Sequence, residues 1–99
     1  MSLIKKVAII GTGVIGAGWI IRCLAHNKIV YAFDKDIKSK KKLIEEIKRA
    51  WPYTKKLFNK KNLNLKNLKY FTSIEDTLKD ADFIQECASE NYLDLIFFY

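Results

Sequence analysis

The chain has 99 residues, enough for one small domain. About half are apolar and 29% charged, an ordinary globular mixture with no run near the roughly 20 apolar residues of a membrane span. A formal charge of +7 comes mainly from lysines between Lys38 and Lys69, strewn among asparagines without a stacking or recognition-helix pattern, so it reads as a solvated face and not a nucleic-acid surface.

"KKVAII" (Lys5–Ile10) is an apolar, partly β-branched run that stops at glycine. It predicts a strand of a parallel sheet covered on both faces. "VIGAGWIIRCLAHN" follows with Ile15, Trp19, Ile20, Cys23 and Leu24 at helical spacing, and Asn27 suits a left-handed helix end. "KIVYAFD" is a second strand ended by an acid. Asp36 is placed to cap a helix whose stripe is Leu43, Ile44, Ile47 and Trp51. Pro52 is expected to end that helix or begin a short second one over "YTKKLFNKKN". "NLKYF" (Asn67–Phe71) predicts a third strand. Thr72 with Glu75 forms a capping-box signature, and "ADFIQECA" (Ala81–Ala88) predicts a fourth strand. The alternation predicts an α/β fold: a Rossmann-type doubly wound parallel sheet of about four strands with helices on both faces.

Between the first strand and first helix lies "GTGVIG", a G-x-G-x-x-G match at Gly11, Gly13 and Gly16, and Asp34 ends the next strand 18 residues after Gly16. A lone glycine cluster is a weak signal; in strand–turn–helix context with that acid it is the dinucleotide-binding combination. Gly11 permits the turn, Gly13 lets backbone amides approach a pyrophosphate, and Gly16 lets helix and strand pack. Helix N-terminal amides, Val14 and Ile15 foremost, would donate to phosphate. Asp34 would accept from the ribose hydroxyls and repel a 2′-phosphate, favouring NAD over NADP, with Lys35 pulling slightly the other way. A bare turn without ligand and an FAD site are the alternatives.

Two cysteines, Cys23 and Cys87, lie in apolar runs without CxxC spacing, and with one histidine no metal site is expected. No secretory signal is evident, and a cytoplasmic protein is expected. Glu86, mid-strand beside Gln85, should be paired or hydrogen-bonded.

Taken together, "VAIIGTGVIGAGWI", "AFDKD", "AWP" and "DADFIQECASE" resemble the NAD-binding domain of the 3-hydroxyacyl-CoA dehydrogenase family, and within it the carnitine dehydrogenases most of all, over about Lys5 to Glu90. The resemblance implies an oxidoreductase passing a hydride between a 3-hydroxy substrate, L-carnitine or a 3-hydroxyacyl-CoA, and NAD, as a homodimer. It implies cofactor contacts at Gly11, Thr12, Gly13, Val14, Ile15, Gly16, Asp34, Lys35, Ala88 and Glu90, the last near the nicotinamide half. The family's general-base histidine, its glutamate and its helical C-terminal domain have no counterpart in this sequence, and Leu95 stands where the family usually carries lysine. Residues 1–99 are therefore expected to form an incomplete Rossmann domain with no catalytic residue of its own. His26, at the far end of the first helix from the glycine turn, reads as a surface or capping residue. A stand-alone NAD-binding module without catalysis is the other reading.

Overall fold

A computed structural model describes residues 3–60 and 62–87. Four parallel strands, β1 (Lys6–Ile10), β2 (Ile29–Phe33), β3 (Leu68–Phe71) and β4 (Phe83–Glu86), form one sheet in the order β3-β2-β1-β4. Three helices connect them: α1 (Val14–Ala25), α2 (Ser39–Leu57) and α3 (Ile74–Leu78). β1 is central, with Val7 opposite Val30 on one side and Phe83 on the other. Its residues from Ala8 to Ile10 are wholly buried, as an unbroken apolar strand inside a covered sheet must be.

Period-two alternation splits the core into two layers. Val7 and Ile9, with Val30 and Ala32, face α1 and α2 and join Ala17, Ile20, Ile21, Leu24, Leu43 and Ile47. Ile10 and Phe33 face the other way, against Ile74 of α3. The expectation of helices on both faces holds.

Four details of the sequence reading change. Of the apolar residues at helical spacing in α1, Ile20 and Leu24 are buried but Ile15 and Trp19 are 69% and 39% exposed, and Gly16, Ala17 and Ile21 complete the inner face. Small residues win there because the helix lies close on the strands. Pro52 does not end a helix: α2 runs through it to Leu57. The proline deprives the Lys48 carbonyl of its usual donor, but both residues are exposed, so water can serve it. Leu43, Ile47 and Trp51, buried at four-residue spacing, pin the helix up to the proline, and the Thr54 hydroxyl donates to the Ala50 carbonyl (3.0 Å). Asp36 does not cap α2 directly; its carboxylate accepts from the Lys38 amide (2.9 Å) in an Asx turn, and the helix begins at Ser39. The cap of α3 is Ser73, not Thr72: its hydroxyl accepts from the Asp76 amide (3.3 Å). Both frames satisfy the capping pattern; the Ser73 frame is the one that buries Ile74 and Thr77.

Asn27 closes α1 with φ of 60°, as its residue type foretold. Cys23 and Cys87 are free and half-buried, and burial pushes both thiols above their usual range. Among the described residues no His, Cys, Asp or Glu cluster could hold a metal, and no helix is long and apolar enough to cross a membrane.

Candidate functional site at the glycine turn

The C-terminal ends of the parallel strands lie at one edge of the sheet, and the order reverses at β1, whose successors sit on opposite sides of it. In open α/β sheets this switch point is where ligands bind. The glycine turn leaves β1 here. The Gly11 amide donates to the Phe33 carbonyl (2.8 Å), and the Cys87 amide donates to the Ile10 carbonyl (2.8 Å), so the turn is anchored to both neighbouring strands.

The three glycines are needed for three different reasons. Gly11 has φ of 102°, a left-handed conformation that a side chain would strain. At Gly16 a Cβ would fall 1.8 Å from the Gly11 carbonyl oxygen, an impossible approach, so only glycine lets α1 close on the turn. At Gly13 a Cβ would meet nothing within 4 Å. The protein's own packing does not require glycine at Gly13; the open space in front of it is a cradle that a side chain would fill. Gly13 also caps α1 with no side-chain hydrogen bond, and no acid stands in the first turn. The free N–H groups there and the positive dipole end offer themselves to an anion.

Asp34 follows β2 and stands beside the turn. The Thr12 hydroxyl donates to its Oδ2 (2.9 Å), and the Asp36 amide donates to its Oδ1 (3.2 Å). Thr12, Gly13, Val14 and Asp34 line a cleft of about 220 Å³ together with Ser39, Lys42, Leu43 and Glu46 of α2. This is less than the roughly 300–1,000 Å³ of an enclosing pocket, so the cleft suits one end of an extended ligand. Of the expected site residues, Gly11, Thr12, Gly13, Val14 and Asp34 are thus brought together. Ile15 offers its backbone while its side chain lines a separate shallow depression with Trp19 and Arg22. Gly16 is buried, and Lys35 is exposed beside Asp34 without lining the cleft. Ala88 and Glu90 lie outside the described residues.

Sequence reasoning missed Tyr70, Ser39 and Lys42. Tyr70 on β3 donates to the Asp36 carbonyl (2.8 Å). Burial first, and then the Asp34 charge, push its phenol upward, so it stays a donor through the physiological range. Nothing in a four-residue strand marks Tyr70; the parallel β2–β3 register that sets it opposite Ala32, a small neighbour, does. Ser39 and Lys42 are ordinary polar positions on a lysine-rich helix until α2 is laid beside the turn.

A larger cavity of about 530 Å³ lies elsewhere, between Val7, Trp19, Cys23, His26 and Phe58. It is mainly apolar and has no turn of free amides. His26 is there, ending α1, its ring edge-on to Phe58 with centroids 4.9 Å apart. One α-helix of 12 residues, about 18 Å, separates it from the glycine turn.

The donor set suits a dinucleotide: free amides for the pyrophosphate, a held carboxylate for a ribose, and space where a side chain is missing. Comparison with known proteins agrees. The profile of the 3-hydroxyacyl-CoA dehydrogenase NAD binding domain matches residues 6–94. An L-carnitine dehydrogenase of Oceanobacillus iheyensis is 46% identical over 88 residues, which are 89% of this chain and 29% of that enzyme. An L-carnitine dehydrogenase of Staphylococcus epidermidis is 40% identical over 85 residues, 86% of this chain and 26% of the enzyme. Among solved structures, (S)-3-hydroxybutyryl-CoA dehydrogenase from Ralstonia eutropha superposes with a TM-score of 0.74 at 25% identity, covering 96% of this chain and 35% of that one. The chain therefore spans less than a third of the length of these curated relatives. A Rossmann sheet, a glycine turn with an acid beside it and a profile match over nearly the whole chain make this a member of the 3-hydroxyacyl-CoA dehydrogenase family, corresponding to its NAD-binding domain.

Proposed function

We propose that the chain binds NAD across the glycine turn and serves as the cofactor-holding part of a dehydrogenase acting on a 3-hydroxy substrate. The observation that carries this reading is the cleft where uncapped α1 amides, the open face of Gly13 and the Asp34 carboxylate meet. Gly11 and Gly16 shape the turn. The amides of Val14 and Ile15 receive the pyrophosphate, and Thr12 and Asp34 border the ribose. Lys35 flanks Asp34, while Ala88 and Glu90 are assigned to the cofactor through the family resemblance. Bound NAD would supply the hydride acceptor. L-carnitine is the favoured substrate because the curated relatives quoted above are named for it; a 3-hydroxyacyl-CoA is the second, supported by the structural neighbour. A homodimer working in the cytoplasm completes the reading.

Calorimetric titration of the purified chain should show binding of NAD in preference to NADP. Asp34→Ala should reduce that preference about tenfold, the loss of a charge-assisted hydrogen bond. Equal affinity for the two cofactors in the unmodified chain would remove Asp34 from the assignment, and absence of NAD binding would overturn it altogether.

A further inference from the structure

We propose that Thr12 is a positioning residue for cofactor selection: its hydroxyl holds the Asp34 carboxylate at the glycine turn, and the discrimination between NAD and NADP depends on that hold. The inference rests on the NAD reading above and adds to it the device that makes Asp34 selective. The glycine fingerprint leaves the position between its first two glycines unspecified. The turn itself thus gives no reason for a threonine. The reason visible in the structure is the 2.9 Å hydrogen bond from Thr12 Oγ1 to Asp34 Oδ2.

Asp34 is gripped from two sides. Thr12 holds Oδ2 and the Asp36 amide holds Oδ1 at 3.2 Å. A carboxylate has about four acceptor positions, so the two bonds fix its plane and still leave an acceptor position on each oxygen for a vicinal diol. Behind them, Tyr70 of β3 donates to the Asp36 carbonyl at 2.8 Å. The turn, the end of β2 and β3 are thereby joined in one polar network.

The hold matters because a competitor shares the cleft. Lys42 of α2 lines it with Asp34. Glu46, one helical turn further, is engaged with Arg49 and forms no ion pair with that lysine among the described residues. A carboxylate released from Thr12 can turn toward the ammonium group, because opposite charges in a partly enclosed cleft attract more strongly than in bulk water. Paired with Lys42, Asp34 would offer less to a ribose diol and less repulsion to a 2′-phosphate. The Thr12 hydroxyl prevents this at the cost of no side-chain bulk in front of Gly13.

The test is calorimetry with NAD and with NADP on the unmodified chain, Thr12→Val and Thr12→Ser, with thermal melts of each free protein. Thr12→Val keeps the shape and removes the donor; Thr12→Ser keeps the donor. The expected result is an NAD-to-NADP affinity ratio about tenfold lower in Thr12→Val, the effect of one hydrogen bond to a charged group, and restored in Thr12→Ser, with the free Thr12→Val protein still melting cooperatively within several degrees of the unmodified chain. Thr12→Ala, expected to behave as the valine variant, replaces it if that variant does not fold. An unchanged ratio in the variant lacking the hydroxyl, or an equal fall in Thr12→Ser, overturns the role of Thr12 while leaving NAD binding intact. Failure of the unmodified chain to bind NAD is a separate outcome; it overturns the underlying reading and this inference with it.

Discussion

Gly13 and Gly16 stand in one motif, yet a side chain should do opposite things at each. A Cβ at Gly16 would collide with the Gly11 backbone at 1.8 Å, which no rotamer can relieve. Gly16→Ala should therefore lower stability by several kcal/mol, on the order of an overpacked core, seen as a large drop in melting temperature without cofactor. Gly13→Val places its side chain in open space and should lower the free protein's melting temperature only by the few degrees that a poorer helix cap costs, while abolishing NAD binding in calorimetry. A Gly13→Val chain that binds NAD normally would show that the cofactor does not pass over the turn. The motif was legible in the sequence; which glycine serves the fold and which serves the ligand was not, because that depends on what lies in front of each Cα.

Among the elements, β4 is joined to the centre of the sheet by more than its ladder. Asp82 Oδ2, just before the strand, accepts from the amides of both Lys5 and Lys6, each at 3.0 Å. Those two bonds hold the carboxyl below the usual range, so the folded pKa lies under the unfolded one. The contribution is thus present above about pH 4, the ordinary aspartate value, and is lost as pH falls through the folded pKa. Asp82→Ala should lower the melting temperature by a few degrees at pH 7, and the difference from the unmodified protein should shrink below pH 4. A gap that does not shrink at all as the pH falls below 4 would mean that Asp82 acts by something other than its charge. Helix α2 teaches a related lesson. Its stripe of Leu43, Ile47 and Trp51 was readable, but the stop expected at Pro52 was overridden, since the lost hydrogen bond falls on the solvated side of the helix.

For the whole molecule, β4 lies at the edge of the sheet, and among the described residues no strand pairs with its outer side. Phe83 and Ile84 on it are 45% and 41% exposed. Such an edge is a template for pairing with another chain. The isolated chain should self-associate in sedimentation at micromolar concentrations, and NAD at a hundred times its Kd should add about 2.7 kcal/mol of stability and raise the melting temperature by several degrees. A monomer whose melt ignores NAD would contradict both statements. Hydride transfer from a hydroxyl-bearing carbon also needs a base within hydrogen-bond reach. The single histidine, His26, is a helix length from the turn. His26 is therefore not placed to act as that base, and a His26→Ala chain should bind NAD in calorimetry as the unmodified chain does; a loss of NAD binding would put His26 at the cofactor site.

The sequence by itself determined the alternation of strands and helices, the glycine turn and the acid after β2, because each is written in local periodicity and in residue types with few conformational alternatives. Asn27 at the end of α1 belongs with these. Tertiary structure decided the rest. The inner face of α1 fell to Ala17 and Ile21 instead of Ile15 and Trp19, since Gly16 draws the helix against the turn and sets its rotation. Ser73 displaced Thr72 as a cap because Ile74 had to reach Ile10 and Phe33. Above all, the far wall of the cleft was not readable: Ser39 and Lys42 of α2 join Thr12 of the turn and Asp34 after β2, and Tyr70 of β3 stands behind them on the Asp36 carbonyl. Only the strand order and the packing of α2 against α1 bring those charges and hydroxyls within reach of one another.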